Sequence, residues 1–252
     1  PAFSISTTFR HNMGIPKFFM YLKTRYPVAV ELVNNLSLIP QCDNLLIDTN
    51  SLMHDMTHFR APMPAKLSYE VLASRLMYEL DKIISFLNPQ KLVYIAVDGT
   101  TPRARLGPQR SCTVPCEKED ESDEEDLELL DTMNLTPGTE VMERISEILQ
   151  YYIALRMSTD PAWKKLVVIY SSHRCPGEGE HKIIDYLRES IVNGTYDRED
   201  RTLCYGSDAD LILLAMTLHQ TNVSIIRKDD YFDSPWEQSH LLDVISCDII
   251  NQ

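Results

Sequence analysis

The sequence predicts an α/β fold in which a mostly parallel central sheet carries helices on both of its faces. Short apolar runs alternate along the chain with segments of helical periodicity, which is the pattern of parallel strands joined by crossover helices. Four of these runs end in, or are followed by, acidic residues. Ligands of open α/β sheets bind outside the carboxyl ends of the strands, so this placement fits the same fold class.

Each element is predicted from its own pattern. The predicted strands are residues 44–48, 91–97, 166–170, 202–206 and 223–226. Helical spacing of apolar residues predicts a helix from Pro16 to a stop at Pro27, then one over 68–87 with Ser68 as its cap. Further helices are predicted from Thr139 through Ile153, after the Glu178/Glu180 turn to about residue 192, and over 211–218.

The domain prediction is one α/β domain over residues 13–252. Residues 1–12 have no clear periodicity and are expected to be a flexible extension ahead of Met13. Residues 117–131 hold ten acids and one lysine, and are expected to be a mobile acidic insertion on the surface. That run carries −9 of the chain's net charge of −13, so the overall charge does not exclude a phosphate-bearing partner.

Composition also excludes some classes of protein. The six cysteines include no CxxC pair, which favours reduced thiols in a cytosolic or nuclear protein. Cys112 and Cys116 lie four residues apart but lack a second ligand pair, so a zinc site is not predicted there. The longest apolar stretch, residues 211–216, is too short to span a bilayer, and no membrane partner is predicted.

Six acids follow the predicted strands and form the candidate catalytic and metal-binding set. They are Asp48, Asp98, Glu178, Glu180, Asp208 and Asp210. The carboxyl ends of parallel strands meet at one edge of a sheet, so all six are expected to converge there. Carboxylate oxygens suit Mg²⁺ or Mn²⁺, and two such ions can promote phosphodiester hydrolysis. Taken one at a time, each acid could instead be a solvated strand end or a first-turn residue favoured by a helix dipole.

A basic loop follows Asp98 directly. Residues 101–110 contain three arginines, which beside an acidic metal site would suit a bound phosphate. A solvated basic loop with no ligand explains the same residues. His54, six residues after Asp48, could stack on a base or serve as a buried structural histidine.

Seven motifs, in order, resemble those of the Xrn/Rat family of 5′→3′ exoribonucleases. They are MGIPKFF (13–19), DTNSLMH (48–54), AVDG (96–99), PRAR (102–105), LTPGTE (135–140), PGEGEHK (176–182) and GSDADLI (206–212). The resemblance implies a PIN/FEN-like nuclease core that uses Mg²⁺ or Mn²⁺. It also implies stepwise degradation of single-stranded RNA from a 5′-monophosphate end, with release of mononucleotides.

The resemblance also assigns roles to residues. The six acids become metal ligands, Arg105 and Gln109 fall where the family contacts the 5′-phosphate, and His54 falls where it stacks on a terminal base. Arg103, Arg110 and Lys182 complete the expected substrate-binding set. The opening MGIPKFF, with Lys17, is closer to the cytoplasmic branch of the family than to the nuclear one, so a cytoplasmic location is expected, with a nuclear one as the alternative.

Three departures keep other readings open. Cys112 and Thr113 stand where the family continues its basic loop with two arginines, which predicts weaker selection for a 5′-monophosphate. Met13 is not the first residue. The family's segment with further acids has no counterpart before Gln252, and residues 238–245 resemble the family's next helix. A reduced member, a truncated chain, or a partner protein that completes the site are the expectations.

The alternative functions follow from these departures. One is a catalytically weak scaffold that binds RNA or protein on the nuclease core. The other is a flap-type nuclease that cleaves branched DNA.

Overall fold

The structure is a computed structural model that describes residues 18–33, 41–57, 67–100, 129–130, 137–220, 222–228 and 242–250. Its strands are β1 (Val30–Val33), β2 (Asn44–Asp48), β3 (Leu67–Ser68), β4 (Leu92–Ala96), β5 (Leu129–Leu130), β6 (Val167–Ser171), β7 (Thr202–Tyr205), β8 (Val223–Lys228) and β9 (Leu242–Ser246). Its helices are α1 (Phe18–Arg25), α2 (Thr49–Thr57), α3 (Tyr69–Leu87), α4 (Glu140–Thr159), α5 (Gly179–Val192), α6 (Ala209–Met216) and α7 (Cys247–Ile250), with a 3₁₀ turn at Trp163–Lys165.

Within these residues, seven strands form one sheet in the order β1-β9-β8-β7-β2-β4-β6. Strands β8, β7, β2, β4 and β6 run parallel to one another, and β9 pairs antiparallel with both β8 and β1. Strands β3 and β5 form a separate two-stranded pair. The predicted α/β class with a mostly parallel sheet is confirmed.

Two hydrophobic layers cover the two faces of the sheet. Along β2, Leu45 and Ile47 pack into the layer formed with α2, α3 and α4, while Leu46 packs into the layer formed with α1, α5 and α6. Every residue of β2 and of β4 is buried. Central strands with no exposed face have no polar alternation, which is why they are visible in the sequence as continuous apolar runs.

The predicted elements begin and end within two residues of the observed ones, except that α4 continues to Thr159, six residues beyond Ile153. Helix α4 begins where the threonine was expected to start it, since the Thr139 side chain accepts a hydrogen bond from the Met142 N–H at 3.4 Å. Helix α6 begins two residues earlier than predicted, at Ala209.

One prediction at the end of the chain is wrong. Residues 238–245 were expected to be helical, but Leu242–Ser246 form strand β9. Val244 packs into one hydrophobic layer and Ile245 into the other, so this strand is buried on both faces. A strand of that kind shows no alternation, and a short apolar run then fits helix and strand equally well.

Two further predictions concern segments that the structure describes only in part. Leu129–Leu130, inside the acidic run 117–131, pair with Leu67–Ser68, which was not expected of a mobile insertion. The rest of that run and residues 1–12 lie outside the described residues. Cys42, Cys175, Cys204 and Cys247 carry free thiols. Among the described helices, none is long and apolar enough to cross a membrane.

The loops that leave β4 and β6 are joined through their backbones. Val97 N donates to Ser171 O at 2.9 Å, Gly99 N donates to Gly177 O at 2.8 Å, and Gly177 N donates to Thr100 O at 3.2 Å. This contact has no space for a side chain at position 99, because a Cβ there would lie 1.7 Å from the Cys175 carbonyl oxygen. The two loops that carry Asp98 and Glu178 therefore form one unit.

We predict that Gly99→Ala destabilises the protein, because its methyl group can fit only if one of the two loops moves. Overpacking of this kind costs roughly 1–3 kcal/mol in the free energy of unfolding, which denaturant titration would measure. The control is Thr100→Ala at the exposed neighbouring position, where the hydrogen bond uses the backbone carbonyl and survives the change. Equal stability of the two variants would contradict this contact.

Candidate metal centre

The candidate acids lie at the carboxyl ends of four neighbouring strands, β7, β2, β4 and β6. Asp48 is the last residue of β2, and Asp98 follows β4 by two residues. Glu178 is the N-terminal cap residue of α5, and Asp208 occupies the same position in α6. Neither of these two side chains makes a capping hydrogen bond, so neither carboxylate is used to begin its own helix.

The first turn of α2 holds Asp48 and links it to the neighbouring loops. Asp48 is 1% exposed, and it accepts hydrogen bonds from the Ser51 hydroxyl at 2.9 Å and from the Asn50 N–H at 3.1 Å. Asn50 in turn accepts from the Asp98 N–H at 3.3 Å, and Ser51 accepts from the Ser207 N–H at 3.2 Å. Two polar side chains thus connect the exits of β2, β4 and β7.

Sequence reasoning did not single out Asn50 and Ser51. The one signal for them was their place inside the motif DTNSLMH, directly after the acid that they support. Polar residues at the start of a helix are common caps, and nothing in their spacing shows which carboxylate they will contact.

Asp98 lies against the N-terminus of α5. Its Oδ1 accepts a hydrogen bond from the Gly179 N–H at 2.6 Å, so this carboxylate satisfies a backbone group that the helix leaves without an intrahelical partner. A Cβ at Gly179 would lie 2.4 Å from Asp48 Oδ1 and 3.4 Å from Asp98 Oδ1. Glycine is therefore required here for the two carboxylates to approach the helix.

Two groups of side chains offer ligand atoms within 4.8 Å of one another. One contains Asp48, Glu180 and Asp208, and the other contains Glu178, Glu180 and His181. Glu180 belongs to both groups and is 8% exposed. Asp210 lies in the first turn of α6 and is close enough to raise the pKa of Asp208. The structure therefore groups Asp48, Glu178, Glu180 and Asp208 at this edge of the sheet, while Asp98 and Asp210 lie beside them in neither group.

Burial and mutual repulsion keep three of the carboxyl groups, those of Asp48, Asp98 and Glu180, protonated to unusually high pH. Burial, with the nearby Asp98 carboxylate, raises the pKa of Asp48 to about 7. Burial also raises the pKa of Asp98 to about 6, against the hydrogen bond from Gly179. Burial and the Asp48 carboxylate raise the pKa of Glu180 to about 9. At neutral pH the acids therefore lack enough compensating positive charge, which a divalent cation would supply.

Among the residues that the structure describes, Arg227 and Lys182 are cations beside the acids. Arg227, on β8, is 8% exposed, and its guanidinium carbon lies 4.0 Å from the centroid of the Phe19 ring. Burial raises the pKa of Asp208, and the charge of Arg227 opposes that rise. Sequence reasoning missed Arg227, because a single arginine at the end of a strand gives no signal. The second cation is Lys182, whose ammonium is buried between the loops and whose pKa burial lowers.

The loop between β6 and α5 is anchored from a further side. The imidazole Nε2 of His173 lies 2.9 Å from Glu143 Oε2 on α4 and donates to it, and Arg174 forms an ion pair with the same carboxylate. The hydrogen bond from the Arg174 guanidinium lowers the pKa of Glu143. Burial acts in the opposite direction, and the His173 imidazole adds to the lowering.

The remaining predicted site residues are not all placed. Arg103, Arg105, Gln109 and Arg110 lie outside the described residues, as do Cys112 and Cys116. His54 lies in helix α2. Their predicted contacts with substrate stay predictions.

Comparison of the sequence with known proteins finds a matching family and several relatives. A sequence model of the family described as the XRN 5′-3′ exonuclease N-terminus matches residues 13–229. The chain is 38% identical over 234 residues to 5′-3′ exoribonuclease 1 of Schizosaccharomyces pombe, and 34% identical over 231 residues to that of Saccharomyces cerevisiae. It is 34% identical over 257 residues to 5′-3′ exoribonuclease 2 of Gallus gallus. These alignments cover 87%, 87% and 86% of this chain, but only 17%, 15% and 27% of the relatives.

We predict that Glu180→Gln raises the stability of the metal-free protein at pH 8. The pKa of Glu180 is about 9 in the folded protein, above its ordinary value of 4.5. The free energy of unfolding is therefore highest below pH 4.5, where the group is protonated in both states, and it falls as the pH rises towards 9. Glutamine removes that loss. We expect a gain in Tm of ~3–8 °C at pH 8 and little gain at pH 5, measured by thermal denaturation in a chelator.

The matched control is Asp185→Asn, which removes one negative charge from the exposed side of the same helix. It tests whether lower net charge alone stabilises the protein. A Tm for Glu180→Gln at pH 8 no higher than that of the control would rule out the repulsion described for the buried acids.

Proposed function

This chain belongs to the XRN 5′-3′ exonuclease family, and on that premise we propose that it hydrolyses RNA from the 5′ end with the help of Mg²⁺ or Mn²⁺. The observation that carries the proposal is the group of Asp48, Glu180 and Asp208, whose ligand oxygens lie within 4.8 Å of one another at the carboxyl edge of the sheet. Such a set of oxygens fits hard divalent ions.

The donor set fits two ions. Glu180 is shared by the two groups of ligand atoms, and the capping positions of Glu178 and Asp208 leave both carboxylates unused by their own helices. When bound, two such ions stabilise the negative charge that develops on a phosphodiester during hydrolysis. Mg²⁺ and Mn²⁺ both accept this ligand chemistry, and Mg²⁺ usually binds through few carboxylates together with substrate phosphates.

The residues of the chain position the acids. The Ser51 hydroxyl and Asn50 N–H orient Asp48, and the Gly179 N–H orients Asp98. Because these donors are themselves part of the first turns of α2 and α5, the carboxylates move only if those helices move. This arrangement orients the acids before any ligand arrives and limits the reorganisation that binding requires.

The substrate proposal rests on the basic loop. Thr100, directly before this loop, accepts a hydrogen bond from the Gly177 N–H through its carbonyl oxygen, so the chain enters the loop next to Glu178. We propose that Arg103, Arg105, Gln109 and Arg110 hold a 5′-monophosphate and that His54 stacks on the terminal base of single-stranded RNA. Successive cleavage would release mononucleotides. The MGIPKFF opening supports a cytoplasmic location.

A catalytically weak scaffold is the second candidate. Cys112 and Thr113 stand where the family resemblance expects two arginines, and loss of two guanidinium groups weakens the hold on a terminal phosphate. Such a protein would bind RNA and cleave it slowly, with little preference for the chemistry of the 5′ end.

We predict that Asp208→Ala abolishes cleavage while the protein stays folded, because it removes a ligand oxygen but no capping hydrogen bond. The assay follows mononucleotide release from 5′-monophosphorylated RNA in Mg²⁺ or Mn²⁺, with circular dichroism to check the fold. Asp185→Ala, on the exposed side of α5, is the control and should cleave like the wild type. Wild-type rates for Asp208→Ala at equal purity would end the assignment.

A second substrate separates the candidates. The same RNA with a 5′-hydroxyl should be degraded at least about tenfold more slowly if charged contacts in the basic loop select the phosphate. Retention of both RNAs without metal-dependent cleavage supports the scaffold, and preferential cleavage of branched DNA supports a flap-type nuclease.

A further inference from the structure

Lys182 is a buried cation in the first turn of α5, and its ammonium contacts two backbone carbonyls. The residue is 8% exposed. Its ammonium donates hydrogen bonds to the Val97 carbonyl at 2.7 Å and to the Ser172 carbonyl at 2.9 Å. Val97 directly precedes Asp98, and Ser172 is the first residue after β6. One side chain of α5 therefore binds the exits of two strands.

We propose that Lys182 is a positioning residue that sets the separation between Asp98 and the pair Glu178 and Glu180. This inference rests on the function proposed above. It replaces the expectation from sequence that Lys182 contacts the substrate. An ammonium group has three N–H donors, and two of them are occupied by backbone carbonyls inside the protein.

The geometry shows how the lysine acts. Asp98 Oδ1 accepts the Gly179 N–H at 2.6 Å, three residues before Lys182 on the same helical turn. The Val97 carbonyl and the Asp98 carboxylate are thus both held by the N-terminus of α5, one through a side chain and one through the backbone. A change in either bond would move Asp98 relative to the glutamates.

Charge supports the same role. Lys182 lies close enough to Asp98 for its positive charge to lower the pKa of that carboxylate. Removing the ammonium would leave two buried carbonyl groups without this donor and would leave the acids with one less compensating charge. The lost hydrogen bonds and the lost charge would both change the position and the charge of the metal-binding acids, and neither would remove a contact with an RNA phosphate.

The test separates positioning from substrate contact by measuring binding and turnover separately. RNA affinity is measured in a chelator at several salt concentrations, and kcat and the half-saturating Mn²⁺ concentration are measured with 5′-monophosphorylated RNA. For Lys182→Met we expect kcat to fall and half-saturating Mn²⁺ to rise, each by about 10–100-fold, as for other residues that orient metal ligands. The RNA Kd and its salt dependence should stay as in the wild type.

The opposite pattern would overturn the proposal. A lysine that contacts phosphate would weaken RNA binding and reduce the slope of log K against log salt by about 0.7, with half-saturating Mn²⁺ unchanged. Arg188→Met removes an exposed cation from the same helix and is the matched control for general effects of charge.

A second variant covers failure of Lys182→Met to fold. Lys182→Arg keeps the charge, so a phosphate contact would survive it. A planar guanidinium cannot reproduce the two hydrogen bonds of an ammonium in the same space, so positioning predicts a loss of kcat of at least about tenfold. Near-wild-type turnover of Lys182→Arg would contradict the proposal.

Failure of the proposed function would be recognised separately, as absence of nucleotide release by the wild type. The role of Lys182 is then measured by the rise in Tm that Mn²⁺ produces. A smaller rise in Lys182→Met than in the wild type supports positioning, and an equal rise overturns it.

Discussion

Like charges held together out of water are the constraint on which the rest of this structure depends. Asp48 and Glu180 are almost fully buried, and they lie within 4.8 Å of a third carboxylate, Asp208. Burial disfavours each ionised form, and the neighbouring carboxylates disfavour it further, in line with the raised pKa values of Asp48, Asp98 and Glu180. Such an arrangement is costly for the folded protein unless cations offset it.

The surrounding elements reduce that cost without removing it. The N-terminus of α5 faces Asp98, the Ser51 hydroxyl donates to Asp48, and Arg227 lies beside Asp208. Lys182 adds one positive charge next to the Val97 carbonyl, directly before Asp98. These groups fix the acids in position, yet the acids still have raised pKa values. A site that is rigid and short of positive charge is suited to bind divalent ions.

Much of the fold followed from local patterns. The central strands were predicted because burial on both faces makes them continuous apolar runs, and α4 was predicted from the helical spacing of its apolar residues. Strand β9 was mistaken for a helix, because a short apolar run that is buried on both faces has no period that distinguishes a strand from a helix. Its pairing with β8 and β1 depends on contacts distant in sequence.

In the site, the acids were predicted from the sequence and the residues that hold them were not. The acids could be predicted because strand ends in a parallel sheet meet at one edge, so the order of elements places them. The residues that hold the acids could not, because Asn50, Ser51 and Arg227 act through hydrogen bonds and charges between loops. Lys182 was expected to bind substrate, because its hydrogen bonds to backbone carbonyls have no signature in a sequence.

The most direct test of this account is a crystal structure with Mn²⁺ and its anomalous difference map. We expect at least one strong peak within bonding distance of the Asp48, Glu180 and Asp208 carboxylates, and we expect a crystal grown without metal to show these carboxylates in the same positions. A map without a peak at millimolar Mn²⁺, with the same carboxyl groups hydrogen-bonded to one another, would contradict it.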